Sequence, residues 1–183
     1  MHEPARLIAV AVLATLLTAC GGNPKPESLP TPSPSSSPSP SKSMSPAPTL
    51  PEVAKQPTKA GAIAVARHYV ALVNYAQSTG NVEALLAVEG NDCRSCKSGR
   101  KAISDVYSAG GTIDGGKLVV RSEEAFRNAS QWLVTLGVEF EPELIDWPEP
   151  RADQRLKGGK LPMNLTMGMQ DGQWKVLQWS RGA

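Results

Sequence analysis

The sequence is poor in the residues on which most catalytic and metal chemistry depends. It holds only two histidines, three cysteines and two phenylalanines in 183 residues. The histidines are His2 and His68, and the cysteines are Cys20, Cys93 and Cys96. A tetrahedral metal site needs four protein ligands, or three and a water. With the Cys pair of the folded part expected to be spent on a disulfide, only one histidine is left to add, so no metal is expected. Charge is scarce as well: 19 basic residues against 17 acidic ones leave a net +2, with no run of lysines and arginines. Neither a nucleic-acid surface nor a polybasic membrane surface has support in that balance. No phosphate-cradling glycine loop, Ser-His-Asp order or G-x-S-x-G elbow occurs. Nucleotide binding and serine-type hydrolysis therefore have no foothold, and no cofactor is expected.

What the chain does have begins at its amino terminus. A short polar stretch ending in Arg6 leads into an uncharged run from Leu7 to Leu17, then Thr18-Ala19-Cys20 and Gly21-Gly22. That run suits a signal peptide and is short for a membrane span, which takes roughly 20 apolar residues. Leu17-Thr18-Ala19-Cys20 resembles the bacterial lipobox. The resemblance implies that residues 1–19 are a signal peptide, that cleavage leaves Cys20 first, and that its thiol is acylated. Two acyl chains supply the anchoring that one cannot. The expected location is the extracytoplasmic face of the cell membrane, with the membrane itself as a partner through Cys20. An ordinary secretory signal with Cys20 as a bystander is the competing reading.

From Gly22 to about Pro57 the chain is dominated by proline and serine and is almost free of large apolar residues. Such a segment cannot bury enough surface to offset its ordering entropy, so residues 20–57 read as a disordered linker with polyproline II bias. Extended, it would reach on the order of 100 Å. Residues 58–183 then remain, enough for one core and too few for two.

Within that part, Thr58 is placed to cap a helix that runs to Gly80. Its apolar arc takes in Ala62, Val65, Tyr69, Leu72, Val73 and Ala76, while Arg67, His68 and Tyr75 fall opposite it or on its edge. A short second helix is expected over Val82–Val88, with Leu85 and Leu86 in the core, and a third over Lys97–Ala109. A strand follows around Lys117–Arg121. Gln131–Glu141 alternates as a half-buried strand with Trp132, Val134, Leu136, Val138 and Phe140 on one face. Pro142, Pro148 and Pro150 predict a loop reaching Gly158-Gly159. Asp171-Gly172 marks a two-residue hairpin that pairs Met169 with Trp174, Met167 with Val176 and Leu165 with Gln178, leaving Gln178 as a polar misfit on an apolar face.

A long helix, two shorter ones and a curved antiparallel sheet resemble the NTF2-like (SnoaL-like) cone, so the fold class expected is α+β. The stretch GAIAVARHYVALVNYAQSTGN, the later Cys-x-x-Cys and the closing DGQWKV are also similar to a family of actinobacterial lipoproteins with a C-terminal domain of unknown function. Asn74-Tyr75-Ala76, Thr79-Gly80, Cys93 and Cys96 carry most of that likeness. It implies placement and fold and transfers no catalytic residue.

With Cys20 acylated, Cys93 and Cys96 remain as a pair in an oxidising compartment, where a disulfide is expected. The pair reads as a structural clip joining the second and third helices, with a thiol-disulfide redox centre as the rival. His68 reads as a surface histidine at a helix edge. The alternative makes it a general base at the cone mouth with Asp105, Asp114 or Glu139 nearby, in a small isomerase- or dehydratase-type enzyme. Trp147, flanked by Asp146 and Pro148 in the proline-rich loop, is a candidate exposed contact for a ligand or partner. The leading reading is a lipid-anchored, non-catalytic binding or structural module whose partner is an envelope protein or a small apolar ligand.

Overall fold

The computed structural model describes residues 45–182. The lipobox, Cys20 and most of the linker lie outside the described residues. Helix α1 spans Lys59–Thr79, between the two ends expected from the sequence. Thr58 Oγ1 accepts from the Gly61 N–H at 3.1 Å, and Gly80 closes the helix at φ 75°, where a side chain would be strained. Helix α2 is a single turn, Glu83–Leu86, and α3 spans Arg94–Ser108. The third helix therefore starts three residues earlier than expected, because Cys93 caps it: its sulfur accepts from the Cys96 N–H at 3.2 Å. Leu85 is buried as expected, whereas Leu86 is exposed, since one turn of helix turns only one of two adjacent leucines inward.

Seven strands follow among the described residues: β1 Thr112–Gly115, β2 Leu118–Asn128, β3 Gln131–Phe140, β4 Glu143–Asp146, β5 Gln154–Leu156, β6 Gly159–Gln170 and β7 Gln173–Arg181. They form a four-stranded antiparallel sheet in the order β2-β3-β6-β7 and a smaller one in the order β1-β4-β5. Val134, Leu136, Val138, Leu165, Met167 and Val176 from the larger sheet meet Ala62, Val65, Tyr69, Leu72 and Ala76 of α1 in one core. This is the α+β cone with its helices packed on a curved sheet. No helix among the described residues is long and apolar enough to cross a membrane.

Each outer strand of the larger sheet has its edge interrupted at one point. At the start of β2, the Asn74 side chain donates to the Leu118 carbonyl and accepts from the Leu118 N–H, both at 2.8 Å, standing in for a strand partner. At β7, the Val176 N–H donates to the Val88 carbonyl at 2.8 Å and the Gly90 N–H to the Val176 carbonyl at 2.9 Å.

Three expectations are corrected. The ordered unit begins before Thr58: Glu52–Lys55 form a 3-10 turn, Ala54 is wholly buried, and the Trp174 indole N–H donates to the Gln56 carbonyl at 3.2 Å. A Cβ at Gly61 would collide with that carbonyl, so the glycine is what lets the segment lie against α1. The proline-rich loop after β3 contains β4 and β5, short strands that pair around its prolines. The β6–β7 hairpin turns at Asp171 (φ 51°) and Gly172 (φ 74°) and keeps the expected pairs as far as Met167 with Val176. Beyond them a bulge at Leu177 sets Leu165 opposite Trp179 instead of Gln178. The extra residue turns the misfit Gln178 outward and brings Trp179 onto the inner face.

Candidate functional site: the hollow of the cone

The inner face of the sheet, α1 and α3 enclose a cavity of about 510 Å³. Tyr69, Val73 and Gln77 reach it from α1 at i, i+4 and i+8, so one helical stripe lines a wall about 12 Å long. Ile103 and Val106 of α3 face them, and Leu118, Val138, Leu161, Met163 and Trp179 close the sheet side. Trp179 belongs to this lining only because of the bulge. Most of the wall is apolar.

One charged cluster is set into it. Glu89 is 5% exposed; Tyr69 Oη donates to one carboxylate oxygen at 3.1 Å, and Arg100 Nε donates to the other. Its position follows from the backbone pairing of Val88–Gly90 with Val176, which fixes the chain on both sides of Glu89. Burial pushes the Glu89 carboxyl above its ordinary value, against the opposing pull of Arg100 and Tyr69. The Tyr69 phenol is raised as well, first by burial and then by the carboxylate beside it. A second polar pair lies further along α1: Gln77 Nε2 donates to Glu143 Oε2 at 3.0 Å. Burial raises Glu143, and Arg181 pulls it back.

His68 does not share this cavity. It is 8% exposed and lines a separate hollow of about 560 Å³ on the other side of α1, with Val65, Leu72, Val88, Trp174 and the Pro48–Lys55 segment. The expectation of a surface histidine fails because α1 is covered on two sides, the second by residues read as linker. Burial lowers the His68 pKa, which favours the neutral ring at pH 7. Among the described residues no carboxylate lines its hollow. Asp105 is exposed and paired with Lys101 at 2.7 Å, Asp114 is exposed, and Glu139 is paired with Arg121 at 2.8 Å. The acids proposed as its partners are not brought to it.

Trp147 is also placed differently. It is 8% exposed, with the Arg151 guanidinium carbon 3.7 Å from its ring centroid and its backbone N–H donating to Asp153 Oδ1 at 3.2 Å. The pairing of β4 with β1 and β5 pulls the loop inward, so this indole lines neither hollow. Cys93 and Cys96 form a disulfide with Cα atoms 5.2 Å apart, each 1% exposed. Glu89, Arg100 and Glu143 were not foreseen. The one available signal was Tyr69 in the middle of the apolar arc, since a buried phenol needs a partner for its hydroxyl.

No curated protein sequence matches the chain. Among solved structures, the intermembrane space region of the chloroplast protein ARC6 is similar at 18% identity and a TM-score of 0.53, over 69% of this chain and 97% of that one. An NTF2-like protein from Cytophaga hutchinsonii matches at 18% identity and a TM-score of 0.43, over 65% and 95%. A putative scytalone dehydratase from Novosphingobium aromaticivorans matches at 14% identity and a TM-score of 0.41, over 67% and 85%. At these identities the likeness concerns the fold alone. The sequence-family match is broader: it runs over residues 31–179, taking in part of the proline-rich segment together with the cone, and places this chain in the family of unknown function DUF6318.

Proposed function

We propose that this chain is a lipid-anchored extracytoplasmic lipoprotein whose folded unit is a non-catalytic binding module for a small, largely apolar ligand. The observation that carries the binding part is the cavity itself. Its wall is apolar, and the buried carboxylate in it already has a partner on each oxygen, Tyr69 and Arg100. A carboxylate held in this way positions and packs; it is a poor proton acceptor for a substrate. The sole histidine downstream of Cys20 lines a different hollow, with no acid there among the described residues, which counts against the isomerase or dehydratase alternative. Cys93 caps α3 and Cys96 lies in its first turn, so the disulfide staples the start of α3 and does not join α2 to it as expected. Burial of both cysteines favours this structural role over thiol exchange with a partner.

The anchor rests on Leu17-Thr18-Ala19-Cys20 and the linker after it. Two measurements test the whole reading. Cys20→Ser is expected to abolish labelling by a radioactive fatty acid and to release the chain from membranes; continued labelling would refute the anchor. A native mass-spectrometric survey of the purified chain is expected to show a bound small molecule whose occupancy falls in Met163→Trp, which puts an indole into the cavity wall.

A further inference from the structure

We infer that the ligand of this cavity is a single-chain anionic amphiphile whose carboxylate or phosphate head sits at the mouth, between Lys157 and Arg181. The inference rests on the ligand-binding reading above and adds the chemical class. Leu156, Lys157 and Arg181 line the cavity and are also solvent-exposed, so the hollow opens to water beside them. The charges in the lining are Glu89, Glu143, Arg100, Lys157 and Arg181, which gives 3 − 2 = +1. They are not equivalent. Arg100 is spent on the buried Glu89. Glu143 is half-buried, accepts from Gln77 and lies within the field of Arg181, while burial raises its carboxyl pKa.

The charge left over is therefore cationic and lies at the exposed edge. Neither Lys157 nor Arg181 forms a salt bridge among the described residues, although Arg181 is near enough to Glu143 to act on it. Behind the two cations most of the wall is apolar, with Val73 between Gln77 and Tyr69 on the α1 side and Val138, Leu161 and Met163 on the sheet side. Leu156, 49% exposed and flanked by Arg155 and Lys157, continues the apolar surface to the lip. An apolar bore with a cationic excess at its mouth, Lys157 and Arg181 against the single Glu143, matches an amphiphile of negative head. A cationic amphiphile would meet like charge there, and a neutral chain would leave both cations unused.

The test compares four probes of one chain length: decanoate, decyl phosphate, decanol and decylammonium. Their binding to the full chain is measured calorimetrically below their aggregation concentrations. Decanoate and decyl phosphate are expected to bind about tenfold tighter than decanol or decylammonium at low salt, and raising the salt should shrink that margin. The tighter of the two anions identifies the head. The exposed double variant Lys157→Gln/Arg181→Gln is expected to erase the margin between the anionic probes and decanol. Equal or tighter binding of decylammonium, or a margin that survives in the double variant, overturns the assignment of the head. Binding of none of the four is a different failure, which removes the ligand-binding reading itself.

Discussion

Helix α1 has a hollow on each side, and the two are of similar size, about 510 and 560 Å³. Tyr69, Val73 and Gln77 face one, whereas Val65, His68 and Leu72 face the other. The first is bounded by α3 and the concave sheet and contains a buried ion pair. The second is covered by the Pro48–Lys55 segment and Trp174, and among the described residues its one buried titratable group is a histidine with no acid beside it. Volume alone does not separate a binding site from a packing gap between a domain and the tail that leads into it. Chemistry does, because a buried carboxylate with two dedicated partners is costly to assemble, while a histidine among apolar side chains needs only to lose its proton.

The largest expected effect probes the first hollow. Glu89→Leu leaves Arg100 and Tyr69 without their partner and should cost about 3 kcal/mol, the low end for a broken buried pair because Arg100 is partly exposed. Adding Arg100→Met should recover most of that loss. Urea denaturation of the three variants measures both values, and an undiminished loss in the double variant would show that the pair is not the unit of stability. A smaller effect belongs to the second hollow. Trp174→Phe removes the donor to the Gln56 carbonyl and should cost about 1 kcal/mol. Amide hydrogen exchange should then rise over residues 52–57 and stay unchanged in α3.

The smallest effect is a slope. Because burial lowers the folded-state pKa of His68 below 6.5, the unfolded chain takes up the proton first. Its contribution to stability is therefore complete above pH 6.5 and is lost as pH falls toward the depressed value. His68→Gln should flatten the stability curve over that window, and an identical slope in the variant would assign the acid sensitivity elsewhere. Glu89 acts in the opposite sense. Its raised carboxyl pKa gives a contribution that is present at low pH and fades as pH rises through the folded-state value.

These contrasts bear on how far the sequence could be read. The ends of α1 were legible because Thr58 and Gly80 carry their own local chemistry, and the hairpin turn was legible in Asp171-Gly172 for the same reason. The cone followed from the order of helices and alternating segments. His68 was misjudged because a helical wheel assumes one buried arc, and α1 has two. Strands β4 and β5 are four and three residues long and separated by Pro148 and Pro150, too short for periodicity to register. The bulge at Leu177 did leave a trace, since Gln178 did not fit the face to which strict alternation assigned it. Glu89 left none: an acid after a short helix looks like any solvated residue until the pairing of Val88–Gly90 with β7 turns it inward.

That pairing, together with the Asn74 bridge to Leu118, has a consequence for how copies of this protein behave when crowded. An open strand edge invites a second chain to add to it, and two molecules held close together meet that risk constantly. Here the middle of β7 is occupied by the chain's own backbone at Val88 and Gly90, and the first residue of β2 by a side-chain amide. Further along β2, Arg121, Glu123, Glu124 and Arg127 place charges of both signs on the strand. Neither border offers an uninterrupted ladder to a neighbour, and the fold guards itself against strand-by-strand aggregation at high local density.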